Sequence, residues 1–367
     1  MRILFLNQYF PPDPAPTGVL LHELGEHLRA LGHEVEFISS RQDYRSAKKK
    51  GGSRMLREMR ALASIFFQAL GARRPDLVFS ASSPPCLVFA AALVALRHRA
   101  KGVHWLMDMY PEIAVALGEI KPGGLSRVIE KLTGWACRRC ALVVALDADM
   151  AARLGKYGVA SEVISPWVLQ PLLDASPENE IAPDAEWTWI YSGNLGRAHE
   201  WETLLQTQLL LEQRGSPWSL LFQGGGPSWP LAQARATELG LRRCEWKPYV
   251  PEKELQTSLL CCRALVVTQR PETLGLLWPS KLALISNLPR PVLFVGPVEG
   301  AIASELRALP HAGVFAPGQS EQIAKWLSDI QADGGFTIAP PGQNAAKKRE
   351  VLLEKWGALL DGLRKKS

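Results

Sequence analysis

Hydrophobic positions along the chain come in two textures. Short runs whose apolar residues come in succession or alternation occupy residues 2–7, 34–39, 76–80, 101–107 and 142–146. Between them lie segments whose apolar residues recur every three or four positions, at 18–31, 55–70, 87–96 and 125–140. Side chains on one face recur every second residue in a strand and every third or fourth in a helix. The runs therefore predict strands and the periodic segments helices. Segment 18–31 carries Leu20, Leu21, Leu24, Leu28 and Leu31 on one stripe, and Gly32 ends it. Such alternation is the signature of a parallel sheet covered by helices on both faces.

The pattern breaks at Ser165-Pro166-Trp167 and across 174–184, which is rich in Pro, Asp, Glu and Asn, and then resumes. Strands are predicted at 187–191, 219–223, 244–246, 264–268 and 292–295. Helices are predicted at 201–213, 231–239, 252–260, 279–286 and 321–330. A last helix, at 345–363, carries Leu352, Leu353, Trp356, Leu359, Leu360 and Leu363. The expected organisation is a first domain at 1–168, a linker at 169–186 and a second, similar domain at 187–344. A cleft between the domains is expected, as is a helical segment at 345–367 that straps back across the first.

Composition narrows the class. A chain of 367 residues is too long for one ordinary core, and 47% hydrophobic with 21% charged residues is a globular balance. The net charge of +6 is local. Arg45, Lys48, Lys49, Lys50, Arg54, Arg57 and Arg60 crowd together with only Glu58 opposing them, and Arg364, Lys365 and Lys366 end the chain. Such a cluster is either a solvated face or a contact for lipid headgroups or phosphates. Phe66, Phe67 and Leu70 follow it at amphipathic spacing and incline the reading to an anionic membrane surface. The longest apolar run, 86–96, falls short of the roughly 20 residues of a transmembrane helix. The start, 1–7, lacks a small-residue cleavage site and reads as a buried strand rather than a signal peptide. Cys137 and Cys140 have metal-like spacing but no second pair or His nearby. Six scattered cysteines argue against a disulfide scaffold and for a cytoplasmic protein.

Three features of the second half converge on a diphosphate and a sugar. The run 187–191 ends in Ser192-Gly193-Asn194, followed by Leu195-Gly196-Arg197 and a helical pattern. A strand that stops in small residues and opens into a helix offers backbone N–H groups and the positive end of a helix dipole. Arg197 and His199 would add charge-assisted donors at its mouth. Gly224-Gly225-Gly226 follow the next strand, where missing Cβ atoms let a ligand approach the backbone; alone, they read as a tight turn. The third feature runs from Arg270 to Lys281, where Pro279 suits a first helical turn and Ser280 and Lys281 meet an anion at the helix start. Glu272 in that loop is suited to accept hydrogen bonds from sugar hydroxyls. Singly, Lys281 reads as a surface lysine and Glu272 as a solvated carboxylate.

With these residues in view, the chain resembles the retaining, metal-independent glycosyltransferases of family 4, which have the GT-B fold of two Rossmann-like α/β domains. Tyr191-Ser192-Gly193-Asn194-Leu195-Gly196-Arg197-Ala198-His199-Glu200 and Pro279-Ser280-Lys281-Leu282 are similar to a bacterial branch that builds surface-polysaccharide and O-antigen repeat units, often from N-acetylfucosamine-type donors. Asn7-Gln8-Tyr9-Phe10-Pro11-Pro12 through Gly18, and Asp108-Met109-Tyr110-Pro111-Glu112, match its first domain. The resemblance implies that Gly18 faces the donor phosphate and the acceptor, and that Glu272 contacts the transferred sugar. It implies that Tyr249 and Val250 lie where the base is held, and that Thr273, Leu274 and Gly275 supply N–H donors to sugar and phosphate. The family's ribose-binding Glu is replaced by Ser280, and its phosphate-binding Arg and Lys by Asn194 and His199. Arg197 and Lys281 are the expected substitutes, because a diphosphate leaving group needs positive charge near it. Where many members carry a His on the acceptor side, this chain has Met107 followed by Asp108. Asp108 is either a polar contact to sugar or acceptor or a cap for the next turn. Asp13 is a further candidate on the acceptor side, His104 reads as a sheet histidine and His22 as a solvent-facing one.

The resemblance implies transfer from a nucleotide-diphosphate sugar, with uridine the expected base, to a glycan or polyprenyl-diphosphate-linked acceptor. No metal or other cofactor and no nucleic acid is expected, and the protein would lie on the inner face of the cytoplasmic membrane. Two alternatives stay open at this stage: a nucleotide-sugar 2-epimerase of the same fold, and a non-catalytic sugar-nucleotide-binding subunit. A dinucleotide oxidoreductase is weaker, since no G-x-G-x-x-G follows the first strand.

Overall fold

The computed structural model describes residues 1–40, 54–174, 187–333 and 342–365. They group into two compact units. One holds Met1–Leu169, Gly275–Trp278 and Lys348–Ser367, the other Gln170–Leu274 and Pro279–Lys347.

The first unit contains strands β1 (Arg2–Leu6), β2 (Glu34–Ile38), β3 (Leu77–Ser80), β4 (Lys101–Trp105), β5 (Leu142–Ala145) and β6 (Glu162–Val163). Its helices are α1 (Pro16–Ala30), α2 (Arg54–Gly71), α3 (Leu87–His98), α4 (Glu112–Ala116), α5 (Gly124–Arg139) and α6 (Ala148–Gly155). All strands run parallel, in the order β2-β1-β3-β4-β5-β6. Ile3 faces Val35 on one side and Leu77 on the other, and Ile3 to Leu6 are almost wholly buried. A strand covered on both faces needs no polar alternation, which is why the run reads as continuous. On α1, Leu20, Leu21, Leu24 and Leu28 are buried as expected, while Leu31 is exposed at the helix end. A Cβ on Gly18 would lie 2.4 Å from the Tyr9 carbonyl oxygen, so only glycine lets α1 approach that turn. Short α4, α6 and β6 were not predicted; Asp147 starts α6 by accepting the Met150 N–H at 2.8 Å.

The second unit contains α7 (Gln170–Asp174), β7 (Thr188–Asn194), α8 (Glu202–Gln213), β8 (Ser219–Gly225), α9 (Trp229–Glu238), β9 (Cys244–Lys247), α10 (Glu252–Leu260), β10 (Ala264–Thr268), α11 (Leu282–Ile285), β11 (Val292–Val295), α12 (Ala301–Arg307), β12 (Ala312–Phe315) and α13 (Ser320–Ala332). These strands are also parallel, in the order β12-β11-β10-β7-β8-β9. Trp189, Tyr191, Leu220, Phe222, Val266 and Leu293 build its core. Helix α12 and strand β12 were not predicted. The expected linker opens as helix α7; its remainder, 175–186, lies outside the described residues.

The last helix, α14 (Gly342–Lys365), belongs to the first unit from Lys348 onward. Trp356 is fully buried, with its ring 4.9 Å from Trp105 and 5.2 Å from Phe79. Arg45, Lys48, Lys49, Lys50 and Lys366 lie outside the described residues. On α2 the structure corrects the amphipathic reading. Phe66 and Leu70 pack against the core, and the exposed apolar side chains are Met55, Leu56, Met59 and Phe67. Among the described residues no helix is long and apolar enough to cross a membrane. All six cysteines are free thiols.

Candidate functional site

In the second unit the chain builds β7, β8 and β9 in one direction and then returns to β10, on the other side of β7. Ligands of open parallel sheets bind outside the carboxyl ends of the strands where the order reverses. The residues singled out in the second half of the sequence lie at or just beyond the ends of β7, β8, β9 and β10 and near α11.

Strand β7 continues to Asn194, and α8 starts at Glu202, one residue from the expected helix start. The start of α8 already carries an anion, because the Glu200 carboxylate accepts the Thr203 N–H and hydroxyl, both at 2.8 Å. The helix predicted at 279–286 shrinks to the four residues of α11, with Lys281 at its N-cap, so Pro279 and Ser280 precede it. Ser280 is exposed.

Positive charge is supplied by a side chain instead. Lys281 Nζ lies 3.3 Å from the centre of the Tyr191 ring and 3.3 Å from the place a Cβ on Gly193 would occupy. Tyr191 and Gly193 share a face of β7 because strand side chains alternate. Nζ has no accessible surface and no hydrogen-bond partner among the described residues. Burial pulls its pKa well below the usual lysine range. A desolvated cation–π contact returns about 2 kcal/mol, less than the several kcal/mol that burying an ion removes. Among the described residues an ammonium here has no paired anion.

His199 is not a cationic donor. Its Nδ1 is 2.9 Å from the Thr268 carbonyl oxygen, which only accepts, so Nδ1 carries the hydrogen and Nε2 is the acceptor. Burial, and then the charge of Lys281, lower its pKa to about 3. The imidazole is neutral near pH 7.

The glycines fit the loops to each other before any ligand. Gly193, Gly224 and Gly226 have φ of +132°, +137° and +135°. A Cβ on Gly224 would lie 2.2 Å from the Gly193 carbonyl oxygen, and one on Gly226 2.6 Å from that of Leu195. Gly225 instead abuts the ring of Tyr249, 3.2 Å from its hypothetical Cβ. Tyr249 is exposed and Val250 half-buried. Asn194 is exposed, and its carbonyl oxygen accepts the Tyr191 hydroxyl and the Gly196 N–H. Arg197 is exposed on the same loop.

The connection after β10 is a tight turn, Pro271–Thr273. Glu272 is exposed and ion-paired with Arg270 at 3.1 Å. Its own backbone N–H and then Arg270 hold its carboxyl below the usual range, so it presents an acceptor. The expected donors of Thr273 and Leu274 are already used within the turn. The Thr273 N–H and hydroxyl bond the Arg270 carbonyl, and the Leu274 N–H bonds that of Pro271. Gly275, with φ +67°, belongs to the first unit, where its Cβ would meet the Asp149 backbone at 2.8 Å.

In the first unit, Asp108 forms an antiparallel bridge with Leu277, and the Met109 N–H bonds the Leu276 carbonyl at 2.8 Å. Helix α4 has Pro111 at its N-cap and no side-chain cap. The Asp13 carboxylate accepts the Ala15 N–H at 3.1 Å. His104 is a buried sheet histidine, bonded to Ser80 and with its pKa lowered by burial to about 4. His22 stacks on Phe37. Among the described residues no group of three His, Cys, Asp or Glu side chains is placed to hold a metal.

Gly193, Asn194, His199, Gly224, Gly225, Tyr249 and Lys281 are thus brought together, with Glu272 on the neighbouring connection and Arg197 on the rim. Gly18, Asp108 and Gly275 belong to the first unit. The sequence reading missed Tyr191 as the platform beneath Lys281; its position two residues before the strand-end glycine was the available signal.

Residues 17–168 match the family model described as Glycosyltransferase Family 4. A probable glycosyltransferase of Pseudomonas aeruginosa, WbjE, is 26% identical over 332 residues, covering 82% of this chain and 79% of its own. Sucrose-phosphate synthase of Thermosynechococcus elongatus aligns over the whole of both chains with a TM-score of 0.73 at 14% identity. HepE of Anabaena, solved with UDP and glucose, aligns over 99% of this chain and 100% of its own with a TM-score of 0.66 at 16% identity. The fold is GT-B.

Proposed function

We propose that this chain is a retaining glycosyltransferase that uses a nucleotide-diphosphate sugar, a UDP-N-acetylhexosamine type being the favoured donor. The acceptor is a glycan or polyprenyl-diphosphate-linked sugar of bacterial surface-polysaccharide synthesis. The observation that carries this reading is the buried, unpartnered Nζ of Lys281 beside Gly193 at the reversal point of the second sheet. The Family 4 match in the first half and the UDP bound to HepE support it. In this reading the pyrophosphate pairs with Lys281 and Arg197, which stabilise the leaving nucleotide diphosphate. Glu272 and the neutral His199 accept sugar hydroxyls, Tyr249 and Val250 border the base, and Asp108 is a polar contact for the acceptor. The bond from the anomeric carbon to phosphate oxygen breaks, and one to the acceptor oxygen forms on the same face. The acceptor proton passes to a donor phosphate oxygen. The reading needs no metal, and it places the protein peripherally on the inner face of the cytoplasmic membrane.

Titration calorimetry with UDP tests it. Wild type should bind in the presence of EDTA, and Lys281→Ala should lose binding by at least about tenfold, as expected for a charge-assisted contact. Equal binding by both proteins would remove the pyrophosphate from Lys281. Donor turnover without any acceptor would point to a 2-epimerase instead.

A further inference from the structure

Helices α2, α3 and α5 lie side by side on the first unit, with α3 in the middle; Phe89 of α3 meets Trp135 of α5 at 5.7 Å. The outer helices each turn an apolar stripe to solvent. On α2 it is Leu56, Met59 and Phe67; on α5 it is Leu125, Val128 and Leu132, all between 43% and 71% exposed. The spacings of three, four or eight residues put each set on one helix face. Cations flank both stripes. Arg60, Arg127, Lys131, Arg138 and Arg139 are exposed, and Arg139 lies over the Trp135 ring. The two acidic residues of these helices face elsewhere or are covered, since Glu130 accepts the Tyr157 hydroxyl at 2.7 Å and Glu58 is half-buried. Such stripes are unusual on a soluble surface and mark interaction sites.

We infer that α2 and α5 together form a docking surface for an anionic lipid leaflet, with the apolar stripes entering the headgroup boundary and the flanking cations meeting lipid phosphates. The charge pattern selects this occupant: apolar faces edged by arginine and lysine complement acidic lipid, whereas a second copy would bring like charges together. The inference rests on the membrane-linked acceptor only for its purpose. It adds to the basic segment a second, separate helix that no charge run in the sequence announces.

Flotation of the full-length protein with phosphatidylcholine vesicles, with and without phosphatidylglycerol, provides the test. Binding should require the anionic lipid and weaken as salt rises. Met59→Ser with Phe67→Ser on α2, and Leu125→Ser with Leu132→Ser on α5, should each reduce binding at least about fivefold, and their combination further. The UDP-induced thermal shift should stay at its wild-type value, which reports folding and donor binding separately from lipid. Wild-type binding by the α5 variant, or equal binding to neutral vesicles at every salt concentration, would overturn the inference. So would a wild-type dimer that ignores vesicles and that these serines dissociate, because the stripes would then belong to a second copy.

Discussion

Lys281 sets the stability of the ligand-free fold against the proposed pyrophosphate contact in one side chain. Its Nζ is buried without an anion, so the ligand-free fold carries an uncompensated charge or a neutralised amine. Lys281→Met keeps the stem and removes that burden. The ligand-free protein should gain about 1–3 kcal/mol, by analogy with replacing buried ions by apolar isosteres, while UDP binding disappears. The sign of the pH dependence follows. The folded amine binds its proton less tightly than the unfolded one, so wild-type stability should rise with pH up to about 10.4, and the Met variant should lose that slope. Urea titrations at several pH values measure both effects; a Met variant less stable than wild type would show that the amine is already satisfied. His199 acts in the acid range. Its folded pKa of about 3 lies below the unfolded 6.5, so its contribution is full above pH 6.5 and is lost as pH falls towards 3. The loss should approach about 1.4 kcal/mol per pH unit within that window. His199→Asn should flatten the stability profile there, and neither protein should show a histidine step in donor binding between pH 6.5 and 8.

At the scale of elements, the two glycine-bearing strand ends of β7 and β8 behave as one piece. Gly224 and Gly225 are neighbours with opposite demands. Gly224 combines φ +137° with a carbonyl oxygen 2.2 Å from its missing Cβ, whereas Gly225 faces only the edge of the exposed Tyr249 ring. Gly224→Ala should therefore cost about 3 kcal/mol or more and abolish UDP binding. Gly225→Ala should cost about 1 kcal/mol or less, since a surface tyrosine can shift. Denaturant midpoints and UDP titrations compare the pair; equal losses would refute this division of labour. These elements also show how far sequence reaches. Runs such as 2–7 and 264–268 were legible as strands because a central parallel strand is apolar on both sides. The glycines at the ends of β7 and β8 were legible as strand ends because they break the apolar runs that precede them. The four-residue α11 was not, since Pro279 marks a helix start but says nothing of its length. The meeting of Lys281 with Tyr191 links distant positions, so no local periodicity records it. The charge state of His199 is set by burial and by Lys281, which only the folded chain determines. Short α6 and β12 fell below the length at which periodicity separates helix from strand.

For the whole molecule, the ends of the chain belong together. The segment Lys348–Ser367 joins the first unit, and Trp356 fills its core beside Trp105 and Phe79. The expectation of a C-terminal helix returning to the first domain rested on its apolar stripe, and Leu353, Trp356 and Leu360 are that stripe. Two compact units, one bearing the unpartnered lysine and the other sealed by its own C-terminus, should report separately in calorimetry. Trp356→Ala leaves a cavity under α14 and should lower the transition of the first unit by about 3–5 kcal/mol. Trp356→Phe should cost clearly less, because it keeps an aromatic ring in the core and deletes an indole N–H that is buried without a partner among the described residues. UDP should raise the other transition by the same increment in wild type and in both variants, because in the proposed reading its ligand groups come from the second unit. If the Phe variant proves as damaging as Ala, the indole N–H has a partner that matters. If Trp356→Ala also erases the UDP increment, the donor site depends on the C-terminal helix, and assigning it to the second unit alone is wrong.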